Sequence, residues 1–90
     1  MISKELDITS KTGLHARPAT LLVNFAKGIQ GAKVTITNEG KSASVNSMLG
    51  ILSLGVNQGA RITVSADGPE EEKVLNQICD YIINELSKLE

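Results

Sequence analysis

Along residues 2–9 the apolar side chains Ile2, Leu6 and Ile8 alternate with Ser3, Glu5, Asp7 and Thr9. A period of two predicts a half-buried strand, with Lys4 the exception on the apolar side. Ser10 to Gly13 reads as a polar turn. From Ala16 the period lengthens: Ala19, Leu22, Val23 and Ala26 stand at i, i+3, i+4 and i+7, one face of a helix. Pro18 suits its first turn, where a missing N–H costs nothing, and Gly28 is the expected stop. Alternation returns at Ala32, Val34 and Ile36 and again at Ala43 and Val45. Between them Asn38-Glu39-Gly40 reads as a hairpin turn in which Gly40 is free to take positive φ. A short helix is expected from Ser47 to Leu54, capped by Asn46 or Ser47 and ended by Gly55, in spite of Gly50 inside it. Arg61 to Ala66 is a further strand with Ile62, Val64 and Ala66 inward. The last helix opens at Gly68-Pro69-Glu70-Glu71-Glu72, with Pro in the first turn and acids favoured by the helix dipole. Leu75, Ile78, Ile82 and Leu86 form its apolar stripe.

The resulting order, β-α-β-β-α-β-α, predicts an α+β fold: an antiparallel sheet covered on one face by helices, its other face solvated. Ninety residues suffice for one domain, 1–90, and no repeat or linker divides them. Phe25 and Tyr81 are the only aromatic residues, so the core must be aliphatic.

Charge narrows the function classes. Nine basic and ten acidic residues give a formal net charge of −1, without the basic stripe or stacking aromatics that nucleic-acid binding uses. The apolar runs are too short to span a membrane, and the first residues lack the apolar stretch of a secretory signal. One cysteine, Cys79, permits no internal disulfide, which fits a reducing, cytoplasmic setting; it reads as a small buried apolar residue. One His and one Cys far apart make no zinc set, and no cofactor motif is present.

The informative stretch is Thr12-Gly13-Leu14-His15-Ala16-Arg17-Pro18-Ala19-Thr20. His15 is the only histidine, and it stands where a loop becomes a helix. Helix starts present unpaired N–H groups and partial positive charge, which attract anions such as phosphate. Arg17 adds a planar fork of donors suited to phosphate oxygens, and Pro18 fixes the local backbone. A nucleophile, an anion cradle and a counter-charge thus fall within six residues. The plainer alternative is a His that merely occupies a helix start, and short motifs of this kind often arise by chance.

This segment resembles the active-site signature of the HPr family, the histidine-containing phosphocarriers of the bacterial sugar phosphotransferase system. Gly40-Lys41, the run Asn46-Ser47-Met48-Leu49-Gly50-Ile51-Leu52-Ser53-Leu54-Gly55, and Gly59-Ala60 resemble its second block, and the order of elements matches over essentially all 90 residues. The resemblance implies an open-faced β-sandwich of four antiparallel strands under three helices. It implies that His15 takes a phosphoryl group at Nδ1 from Enzyme I, charged by phosphoenolpyruvate, and donates it to EIIA domains of sugar permeases. Arg17 matches the family arginine. Such a protein is a stoichiometric carrier rather than an enzyme, and is expected to be a monomer.

Ser47 matches the serine that a dedicated kinase, HPr kinase/phosphorylase, modifies in Gram-positive members to engage a catabolite-control regulator. Its structural alternative is a helix cap, and Asn46 replaces the lysine that many members carry before it. Val45-Asn46-Ser47 leans towards the nitrogen-type paralogue, whereas Ser53-Leu54-Gly55 resembles the sugar-system members. Leu21, Met48, Leu49 and Leu52 are candidates for an apolar docking surface beside His15, of which at least two should face the partner. A non-catalytic regulatory or ligand-binding domain would use the same fold. A hydrolase is disfavoured, since no nucleophile elbow or second base accompanies His15.

Overall fold

The computed structural model describes residues 1–9 and 13–85. The Ser10–Thr12 part of the expected turn and Leu86 of the last stripe lie outside the described residues. The order is β1 (Ile2–Asp7), α1 (Ala16–Lys27), β2 (Lys33–Asn38), β3 (Lys41–Ser44), α2 (Met48–Ser53), β4 (Arg61–Asp67) and α3 (Glu71–Asn84). The strands form one antiparallel sheet in the order β1-β4-β2-β3.

Alternation in the strands explains why helices cover only one face. Val34, Ile36, Ile62, Val64 and Ala66 are buried, while Thr35, Thr37, Thr63 and Ser65 between them are only half-buried. Helix α3 rests on β1, β4 and β2, α2 rests on β3, and α1 touches α2 and α3. The core is aliphatic: Leu22, Ile36, Ile51, Ile62 and Ile78 are its largest fully enclosed side chains. Phe25 and Tyr81 stack between α1 and α3 at 4.0 Å. Lys4 pairs with Val64 in the edge strand β1 and is exposed, and a charge on an edge strand discourages pairing with a further strand.

The expected stop at Gly28 and the hairpin at Asn38-Glu39-Gly40 are both present, while the start of α3 differs from the sequence expectation. Gly28 caps α1, but at φ −85 rather than in the left-handed region. Both Glu39 (φ 51) and Gly40 (φ 81) take positive φ, because the register pairs Asn38 with Lys41 and leaves a two-residue hairpin loop. Helix α3 begins at Glu71, so Pro69 lies ahead of the first turn. The reason is tertiary. Glu70 N–H donates to Gly31 O at 3.0 Å, and a Cβ on Gly68 would collide with Gly31 O and Ala32 Cα. The segment before the helix is held by that loop, and helical winding starts after it.

Candidate functional site

His15 is the N-cap of α1, in extended conformation (φ −78, ψ −171). Its carbonyl accepts the Ala19 N–H at 2.9 Å, while its side chain makes no capping hydrogen bond. The imidazole is exposed and uncommitted to the helix. Ala16 and Arg17 supply first-turn N–H groups without intrahelical acceptors, and Pro18 supplies none. No acid occupies this turn. Arg17 is exposed and, among the described residues, makes no ion pair.

The loop before His15 is set by a part of the chain far away in sequence. Gly13 takes φ +60, and a Cβ there would collide with Val56 O and come within 2.8 Å of Asn57 Cα. Only glycine permits that approach. The Leu14 N–H then donates to the same Val56 carbonyl at 3.0 Å, with both side chains buried. Sequence reasoning missed Val56, which carries no chemical group to attract notice.

Helix α2 lies beside α1. Thr20 Oγ1 donates to Ala16 O at 2.7 Å and also reaches Met48 Sδ at 3.7 Å, joining the helix that follows His15 to the start of α2. Ser47 is the N-cap of α2, its Oγ accepting the Gly50 N–H at 3.1 Å. Gly50 has a purpose that helix propensity hides. A Cβ there would stand 2.9 Å from Ala43 Cβ and 2.9 Å from Ser47 Oγ, so glycine lets the helix settle on β3. Leu54 is the C-cap, and Gly55 takes φ 64 as the chain leaves.

Of the four apolar docking candidates, Leu49 is 81% exposed and Leu21 and Leu52 are each 37% exposed. Met48 is half-buried against the core, since its sulfur is turned towards Thr20. Cys79 is buried, and that burial pushes its thiol pKa up, opposite to what a reactive thiolate needs. Among the described residues no group of three or more His, Cys, Asp or Glu side chains is placed to hold a metal ion. No helix among them is long and apolar enough to cross a membrane.

The PTS HPr component phosphorylation site family model matches residues 2–84. The chain is similar to HPr-C-His from Thermoanaerobacter tengcongensis, at 37% identity and TM-score 0.84 over 92% of each chain. It is also similar to the phosphocarrier protein HPr from Bacillus anthracis, at 34% identity and TM-score 0.82 over 89% of this chain and 94% of that one. Crh, the Bacillus subtilis catabolite-repression protein solved as a swapped dimer, matches at 33% identity and TM-score 0.72 over 94% of this chain and 97% of that one.

Proposed function

This chain belongs to the HPr family of phosphotransferase-system components, and on that premise we propose that it carries a phosphoryl group on His15 from Enzyme I to EIIA domains of sugar permeases. The observation that supports this reading is an exposed, uncommitted imidazole at a helix start that has no acid of its own and has Arg17 nearby in sequence, without an ion pair among the described residues. In the transfer, Nδ1 forms a P–N bond as the bond between phosphorus and the donor breaks, and the leaving group stays on the donor. The second transfer reverses these roles on the acceptor. Arg17 and the first-turn N–H groups stabilise charge on the equatorial oxygens. Exposure suits a carrier, because two successive partners must reach one nitrogen. The chain acts in the cytoplasm, as a monomer, without turnover of its own.

Leu21, Leu49 and Leu52 form the docking surface. Ser47 is a second phosphorylation site, for a kinase of the HPr kinase/phosphorylase type. Similarity to Crh, named for catabolite repression, supports a regulatory role beside the carrier role.

The test is incubation with Enzyme I and labelled phosphoenolpyruvate. Wild type should gain one acid-labile phosphate and His15→Ala none, since no second histidine exists. Undiminished labelling of His15→Ala would overturn the carrier reading.

A further inference from the structure

Asn38 occupies a core-facing position: along β2 it follows Val34 and Ile36 in the buried register. It is the one polar side chain buried among the described residues, at 5% exposure. A buried amide costs stability unless it is hydrogen-bonded, and an apolar side chain would continue the strand pattern. Its Nδ2 donates to the carbonyl of Leu54 at 2.9 Å. Leu54 is the C-cap of α2, where carbonyls lack an intrahelical partner. Two residues on, the buried Val56 accepts the Leu14 N–H, and Leu14 immediately precedes His15. One hydrogen bond, a short run of chain and a second hydrogen bond therefore lead from this amide to the histidine.

We infer that Asn38 is a positioning residue for phosphoryl transfer: its buried amide fixes the end of α2 and, through Val56, the placement of the His15 loop relative to that helix. This rests on the reading of His15 as the phosphoryl acceptor. Transfer requires the imidazole to meet phosphorus in line while α2 meets the partner, so the two elements must hold one relative position. Small displacements at a reacting centre cost large factors in rate, even when the altered residue is remote. A hydrogen bond across the end of α2 holds that position more specifically than apolar contact, which is non-directional.

Two measurements test this, comparing Asn38→Leu with Ile62→Val, a sheet variant off the path that lowers stability by trimming the core. The first is hydrogen exchange of the Leu14 amide in unphosphorylated protein. It should accelerate by an order of magnitude in Asn38→Leu relative to the Ala19 amide, and not in Ile62→Val. The second is phosphorylation by Enzyme I, where kcat/KM should fall roughly ten-fold in Asn38→Leu and stay at the wild-type value in Ile62→Val. Should Asn38→Leu not fold, Asn38→Ser, whose side chain is too short for the Leu54 carbonyl, is read the same way. Unchanged Leu14 exchange, unchanged kcat/KM, or equal slowing in both variants overturns the inference. Wild type taking no phosphate overturns the carrier reading and this inference with it, an outcome distinct from any change in Leu14 exchange.

Discussion

Helices α1 and α3 begin in opposite electrostatic conditions. Both starts carry the partial positive charge of aligned peptide dipoles. At α3 the first turn holds Glu71 and Glu72, and Glu71 Oε2 in turn meets the Met1 amine at 3.0 Å. That end is supplied with permanent anions, one of them already neutralised. At α1 the first turn holds no acid, the N-cap imidazole makes no capping bond, and the charge that the turn itself carries is the cation of Arg17. The two differ in whether the anion is built in or must arrive. A stable helix asks for the first arrangement, and a carrier asks for the second.

Removing the cation from the open start should have the largest effect on this contrast. Arg17→Ala should slow both acceptance and donation by about 10²–10³-fold with the fold intact, the range for losing one preorganised electrostatic group. Rapid-quench transfer rates at wild-type values would reduce Arg17 to a surface residue. Making α1 resemble α3 is the sharper change. Ala16→Glu would place a resident carboxylate in the acid-free turn, slowing phosphate uptake about ten-fold while raising stability by ~0.3–1 kcal/mol. Thermal melting and labelling rates should therefore move in opposite directions, and a change in only one would break the comparison.

A smaller effect is expected at the start of α2. Ser47→Asp brings about one charge where phosphate brings nearly two, so a few-fold slower reaction with Enzyme I is expected, with little loss of thermal stability. The slowing should weaken as salt screens it. Equal rates at low salt would exclude charge at Ser47 as a gate on docking.

The smallest effect belongs to α3. The hydrogen bond and charge of Glu71, with Asp67 adding, hold the Met1 amine above its ordinary value of 8.0. A raised folded value means its stabilisation is complete below the unfolded value and is lost as pH rises through the folded one. Wild type should lose slightly more Tm than Glu71→Gln between about pH 7 and pH 10. Equal losses would show that this exposed pair contributes nothing measurable, as many surface ion pairs do.

The strands and helices were legible in sequence because the sheet buries one face. Val34 and Ile36 against Thr35 and Thr37, or Ile62 and Val64 against Thr63 and Ser65, state the alternation without ambiguity. The start of α3 was read too early because Gly68 and Glu70 answer to Gly31, a contact with no local signature. His15, Arg17 and Pro18 stood out because they are neighbours in the chain as well as in space. The residues that seat this group did not. Gly50 reads as a blemish in a helix, Asn38 as a turn former, and Val56 draws no notice, because each acts through a partner distant in sequence. Met48 stands with the leucines as an apolar residue of the short helix beside His15, but its sulfur meets Thr20 of α1 and the side chain is half-buried.

Helix α2 has six residues, far below the ~12–15 at which isolated helices become even marginal in water. What maintains it comes from elsewhere: the Ser47 cap, the fit of Gly50 over Ala43, and the amide of Asn38 at its far end. Leu49 and Leu52 therefore take up their arrangement only once β2 and β3 are paired beneath them. A chain caught part-way through synthesis or refolding carries His15 in its sequence but lacks the arrangement of Leu49 and Leu52 proposed for docking. A partner that docks there, as proposed, would therefore engage only molecules whose sheet has already formed.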